Sequence, residues 1–310
     1  MKPDPDVPYL PKRAAHSRVE TVRGLPLHLN VWGEAHRVTP SRPPLVLLHG
    51  WMDMGASYQF LVDALAALEG EPRWILAPDA RGFGRSAAPA ADSYWFPDYL
   101  GDLDALLDRL WPEGPIDLLG HSMGGNVAML YAGVRPARVR RLVNLEGFGL
   151  PRSDPAQAPQ RYAQWLDELK TPPRLRPYAS LDEVAQRLQQ NNPRLRPDRA
   201  AWLAPHWAQP APGGGFALRA DPAHKRINPV PYQADEALAC WRAIRAPLLW
   251  VEGEHSTPER WWGGRLTRAE FHARLDVVPQ VQRERLADAA HMLHHDQPEA
   301  LAALLLRFLD

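Results

Sequence analysis

Five short, predominantly apolar runs, at residues 43–48, 74–77, 116–119, 141–145 and 247–251, limit what this chain can fold into. Each has the length of a strand, and the run at 43–48 is apolar without interruption after its prolines. Such runs suit strands covered on both sides, as in a parallel sheet sandwiched between helices. The segments between them carry helical spacing, at residues 55–68, 97–110 and 122–134. In the second of these, Tyr99, Leu103, Leu106 and Leu110 fall on one stripe. The alternation predicts an α/β fold, a mostly parallel central sheet flanked by helices.

The ends and the middle break this rhythm. The first sixteen or so residues read as a loose arm. Residues 17–22 and 25–32 form a hairpin around Arg23-Gly24. After Gly149 the alternation stops. Residues 151–242 hold proline clusters, a Gly213-Gly214-Gly215 turn and amphipathic pieces at 163–170 and 181–190. They are expected to form an inserted, mainly helical cap. A last strand is expected at 282–286 and a closing helix at 298–309, with proline in its first turn. The organisation is therefore an α/β core in two parts, residues 1–150 and 243–310, around a cap at 151–242.

Composition excludes several function classes. Lysine plus arginine and aspartate plus glutamate both number 36, so the formal net charge is zero. That balance gives no electrostatic case for a nucleic-acid or anionic-membrane partner. Apolar residues make up 45% of the chain, enough for a sizeable core. Cys240 is the single cysteine, so no intrachain disulfide can form, which fits a reducing compartment. The polar start shows no signal peptide, and no apolar run approaches the roughly 20 residues of a membrane span. The expectation is a cytoplasmic protein, monomeric or homodimeric. The histidines show no H-E-x-x-H or other ligand spacing, so neither a metal nor a cofactor is expected.

The chemistry begins at Gly120-His121-Ser122-Met123-Gly124-Gly125, which follows an apolar strand and opens a helix. This is the strand–turn–helix context of G-x-S-x-G, in which a sharp turn exposes the serine oxygen at the carboxyl end of the sheet. The flanking glycines let neighbouring backbone approach without a Cβ clash. The helix N-terminus behind the serine favours developing negative charge.

With His49-Gly50-Trp51 after the third strand, Asp79-Ala80-Arg81-Gly82-Phe83-Gly84-Arg85-Ser86 after the fourth, the serine turn after the fifth and a histidine near the C-terminus, the chain resembles the α/β-hydrolase superfamily over nearly its whole length. Within it, the sequence is most similar to serine-hydrolase-like and esterase members with a helical cap. The resemblance implies Ser122 as nucleophile, and the backbone N–H groups of Met123 and Trp51 as oxyanion donors. It implies His291 as general base, in Ala289-Ala290-His291-Met292-Leu293-His294-His295, between the last strand and last helix. The order serine, acid, histidine also holds. His294 and His295 are expected to be solvated. Asp79, Arg81 and His49 are expected to shape turns.

The acid departs from the common pattern. Many relatives place it three residues beyond a glycine after the strand that follows the cap, and here that position holds Ser256. Some relatives place it after the sixth strand, where Glu146 closes an apolar run and precedes a glycine turn. A carboxylate there needs a partner, which His291 would supply. Glu146 is the expected acid and Glu254 the alternative.

Serine, where relatives that open epoxides or carbon–halogen bonds carry aspartate, points to a carboxylic ester or related acyl bond, a thioester or lactone, cleaved through an acyl-enzyme. A C–C bond hydrolase and a non-catalytic binding protein of this fold stay open as alternatives. The substrate is expected to be a small, largely apolar acyl compound. Trp51, Trp95, Phe96, Trp202 and Trp207 are its expected wall.

Overall fold

The structure is a computed structural model describing residues 7–69 and 73–310. The first six residues of the expected arm lie outside it, and residues 7–15 run without regular structure. Strands β1 (His16–Val22) and β2 (Leu25–Trp32) pair antiparallel. Their turn, Arg23-Gly24, has positive φ at both positions, the geometry that matches strand twist. There follow β3 (Leu45–Leu48), α1 (Gln59–Glu69), β4 (Ile75–Pro78), α2 (Phe96–Leu110), β5 (Ile116–His121), α3 (Met123–Val134) and β6 (Val139–Leu145). The sheet resumes after the insertion.

The eight strands of the main sheet lie in the order β1-β2-β4-β3-β5-β6-β9-β10, counting two strands of the insertion as β7 (Ala208–Pro210) and β8 (Phe216–Leu218), then β9 (Leu248–Gly253) and β10 (Val281–Leu286). From β4 to β10 all pairing is parallel. The apolar runs are covered on both faces, as their composition requires. Val46 and Leu48 of β3 join one apolar cluster with α2 and α3, and Leu45 and Leu47 join another with α1 and the C-terminal helix. Element ends differ from the sequence reading by a few residues, the ordinary uncertainty of termini.

The insertion between β6 and β9 contains α4 (Ala158–Lys170), α5 (Leu181–Asn191), α6 (Pro197–Trp207), the β7–β8 hairpin closed by the expected glycine turn, and α7 (Ala234–Arg242). Helix α7 behaves as core: Leu238 and Trp241 belong to the cluster that also holds α3. The remaining part has small apolar clusters of its own, one of which takes in Phe60 from α1. After β9 come α8 (Pro258–Trp261) and α9 (Arg268–Leu275), and after β10 come α10 (Leu293–Asp296) and α11 (Pro298–Leu309). No helix among the described residues is long and apolar enough to cross a membrane.

Two seams hold the insertion over the carboxyl edge of the sheet. At one, Asn192 donates to Asp296 (2.8 Å) and Arg199 donates to the His295 carbonyl (2.9 Å). At the other, the backbone N–H of Gly84 donates to Arg219 and that of Asp221 to Gly82, both at 2.8 Å. There the His224 ring is stacked between Phe83 and Tyr94, each 3.6 Å away. Gly82 allows this approach, since a Cβ on it would lie 2.3 Å from the Tyr94 hydroxyl.

Burial between those rings pushes His224 from 6.5 down to about 4. In the unfolded chain it takes up its proton near the ordinary value, and in the fold only near 4. Above about pH 6.5 it is neutral in both states, and as pH falls toward 4 the unfolded state binds the extra proton and stability is lost. Wild type is therefore expected to lose about 1–2 kcal/mol more than His224→Gln between pH 7 and 4.5, read by urea denaturation at each pH. Equal acid slopes would refute the assignment.

Candidate active site

The loops after β3, β5, β6 and β10 meet at the carboxyl edge of the sheet, the general place for sites in parallel α/β folds. Backbone strain is concentrated there. Among the described residues five non-glycine residues have positive φ, and Met52, Ser122, Glu146 and Asp288 lie in these four loops.

Ser122 caps α3 at φ 51° and ψ −113°. Its N–H donates to the Leu145 carbonyl (2.9 Å), and its own carbonyl accepts from Asn126 (3.0 Å). The turn is tight enough to explain its glycines. A Cβ on Gly120 would lie 2.1 Å from the Gly124 carbonyl oxygen, and one on Gly124 would lie 2.1 Å from that of Leu48. A Cβ on Gly50 would lie 3.4 Å from the Cβ of Ser122, so the loop bearing Trp51 passes directly beside the serine.

Glu146 is 1% exposed and has three donors. Its Oε1 accepts from the Gly253 N–H (2.7 Å), while Oε2 accepts from the Ser256 hydroxyl and from Nδ1 of His291, both at 2.7 Å. Ser256, at the position where the resemblance leads one to expect an acid, here donates to the carboxylate at the end of β6. Glu254 is exposed and accepts from the Asp288 N–H instead. His291 is further held by its neighbours: its carbonyl pairs with Nε2 of His121 (2.8 Å), and the Trp261 ring meets its imidazole edge-on at 4.1 Å.

The turn-shaping residues behave as such. Asp79 accepts from the Gly55 and Arg85 N–H groups and pairs with His28, tying the loops after β3 and β4 to strand β2. Arg81 forms a two-point pair with Asp102. His49 accepts from the Ala80 N–H through Nε2.

His294 and His295 depart from expectation. They are 0% and 3% exposed rather than solvated, because the short helix α10 turns them inward against α1 and the turn before it. Nε2 of His295 pairs with the Ser57 hydroxyl at 2.5 Å. Nε2 of His294 lies 3.8 Å from a carboxylate oxygen of Asp53, itself buried and without a hydrogen-bond partner among the described residues. Burial alone would raise the Asp53 carboxyl, but His294, with His49 and His121 near, outweighs it and holds it below the usual range. Asp53 thus places a carboxyl group inside the protein, two residues from Trp51. With His294 and His295 it offers three ligand atoms within 4.8 Å of one another, the interior set that could accept a metal ion.

Two chambers open from Ser122. The larger, about 680 Å³, includes His291, Trp207 and residues of α5 in its wall. The smaller, about 360 Å³, includes Trp95, Phe96, Met123 and Phe148. Trp51, Ser122 and Trp261 border both. Of the expected wall residues, Trp202 is misplaced. It packs on Tyr9, Phe60 and His206, because its face of α6 turns toward α1, away from the chambers. Trp261, Ser256 and Asp53 had no assigned role in the sequence, since each matters only through a partner distant along the chain.

A family model for the alpha/beta hydrolase fold matches residues 43–298. A serine hydrolase-like protein of Danio rerio is 25% identical over 294 residues, 90% of this chain and 84% of its own length. A 3-hydroxybutyrate-oligomer hydrolase of Cupriavidus necator is 32% identical over 239 residues, 73% of this chain and 75% of its own. Among solved structures, a thioesterase domain from the curacin biosynthetic pathway superposes with a TM-score of 0.78 at 27% identity, covering 94% of this chain and 99% of that one.

The buried Asp53 carboxylate makes His294 a stability residue. His294→Ala strands that charge and is expected to cost about 3–5 kcal/mol, read by urea denaturation, with Asp53→Asn/His294→Ala recovering part of the loss. A cost below about 1 kcal/mol, the scale of an exposed pair, would show that the two side chains do not compensate each other.

Proposed function

Because the chain belongs to the alpha/beta hydrolase fold family, and is a hydrolase like its relatives, we propose that it cleaves a carboxylic ester or related acyl bond through an acyl-enzyme on Ser122, with His291 as base and Glu146 as the acid that orients it. The observation that carries this reading is the hydrogen bond from Nδ1 of His291 to a buried carboxylate, at 2.7 Å, in a wall shared with Ser122. A carboxylate on Nδ1 fixes the tautomer that leaves Nε2 free to take a proton, and stabilises the imidazolium that forms. The Ser122 oxygen then attacks the acyl carbonyl while its proton passes to His291. The N–H groups of Met123 and Trp51 receive the oxyanion. His291 returns the proton to the departing group, and water, activated by the same base, releases the acid.

The alternative of a non-catalytic binding protein drew on the missing charge at Ser256, and Glu146 supplies that charge from the adjacent strand. The cap over this site is taken as residues 151–233, leaving α7 with the core it packs on. The 3-hydroxybutyrate-oligomer hydrolase and the thioesterase domain among the similar proteins both fit acyl transfer.

Ser122→Ala is expected to abolish hydrolysis of p-nitrophenyl esters and fluorophosphonate labelling while leaving the fold intact. Glu146→Gln is expected to lower kcat by about 10²–10⁴-fold. The sharper test moves the acid: in Glu146→Gln/Ser256→Asp the carboxylate stands at position 256, and kcat is expected to recover at least tenfold over Glu146→Gln alone. A silent Glu146→Gln variant would refute the assignment. In the larger chamber Trp207→Ala is expected to shift the preferred ester length, whereas Trp202→Ala leaves it unchanged. An unaltered profile in Trp207→Ala would remove that residue from the wall.

A further inference from the structure

The two chambers differ in which part of the proposed machinery they touch. His291 borders the larger and not the smaller, and Met123 the smaller and not the larger. A base that returns its proton to the leaving group must lie on that group's side. With His291 as base, the larger chamber would receive the alcohol or thiol portion and the smaller the acyl chain.

Their walls differ in charge as well. The smaller chamber is lined largely by aromatic rings, including Tyr94, Phe96, Phe148 and Tyr232. Its acid, Glu146, is engaged by His291, and its Arg226 donates to the Asp92 carbonyl. The larger chamber has three exposed cations in its wall, Arg176, Arg187 and Lys225, brought together from three separate parts of the cap. Arg176 is paired with Glu183. Arg187 and Lys225 have no hydrogen bond or ion pair among the described residues. The chamber's own acid is Asp53, buried on the floor beside His294. Even with Arg176 paired and Asp53 counted, Arg187 and Lys225 leave this wall with an excess of positive charge, and such an excess concentrates ligands of the other sign.

We propose, resting on the reading above, that the substrate is an ester or thioester whose acyl part is apolar and whose leaving alcohol or thiol carries an anionic group, held by Arg187 and Lys225 with Arg176 beside them. In acylation the Ser122 oxygen bonds to the acyl carbon, the bond to the leaving oxygen or sulfur breaks, and the serine proton ends on that atom through His291. The anionic product alcohol or thiol leaves first, and water then releases the apolar acid.

The test compares matched substrates with one apolar acyl group on leaving groups of similar basicity. One pair is the thioesters of 2-acetamidoethanethiol (neutral) and 3-mercaptopropionate (carboxylate). The other is those of pantetheine and 4′-phosphopantetheine (phosphate). Wild type is expected to favour an anionic member by about tenfold in kcat/KM at low salt. That preference should fade as ionic strength rises and the Debye length drops below about 10 Å. In Arg187→Glu/Lys225→Glu, where both positions are exposed, the ratio of anionic to neutral kcat/KM should fall to one or below. The pair that shows the preference identifies the anion. Equal kcat/KM within both pairs, or a ratio that charge reversal does not move, overturns the inference while leaving the proposed hydrolase intact. No turnover of any ester, with Ser122 unlabelled by fluorophosphonate, overturns that reading and this inference together.

Discussion

A carboxylate sealed at the edge of a parallel sheet must find its donors in the loops around it, and Glu146 finds them in three places. The Gly253 N–H lies at the end of β9, the Ser256 hydroxyl in the loop beyond it, and the His291 ring in the loop after β10. Hydrogen bonds to a charged group are worth about 1.5–3 kcal/mol each, and losing one strands buried charge. The positive φ at Glu146 belongs to the same arrangement, because a strained conformation persists only where its surroundings over-determine it. The Nδ1 side of His291 is fixed by this group, while His121 and Trp261 hold the residue from its backbone and ring face.

A second buried carboxyl group, that of Asp53, meets the loop that carries His291. Asp53 stands two residues beyond Trp51, on the loop that passes beside Ser122, and faces His294, three residues beyond His291. The loop proposed to hold the oxyanion and the loop proposed to hold the base are thus joined by side chains as well as by the sheet. The cap adds a third tie, through Asn192 to Asp296 and Arg199 to the His295 carbonyl.

Much of this was legible in the residues. Apolar runs with no wet face leave a parallel sheet as their economical arrangement, and the strands lie within a few residues of where those runs stand. The glycines around Ser122 were readable because a Cβ clash is a local matter of backbone against backbone. Other features were not. His294 and His295 look solvent-facing in a polar, proline-bounded stretch, and only the inward turn of α10 buries them. Trp202 and Trp207 share a helix and five residues of separation, yet one packs on α1 and the other borders a chamber. Helix periodicity says which residues share a face, not what the face meets.

The sequence by itself determined the layered fold and the serine turn, because each depends on neighbours a few residues apart, and the family resemblance added a short set of candidates for base and acid. The tertiary structure alone decided which carboxylate His291 reaches and what Ser256 does. It also brought Arg176, Arg187 and Lys225 into one wall. Those outcomes depend on which strand lies beside which, and on how the cap sits over the edge. The pairing of β6 with β9 sets the distance between Glu146 and Ser256, 110 residues apart in the chain. No pattern within either segment encodes that distance, since it arises only when both are packed into the same sheet.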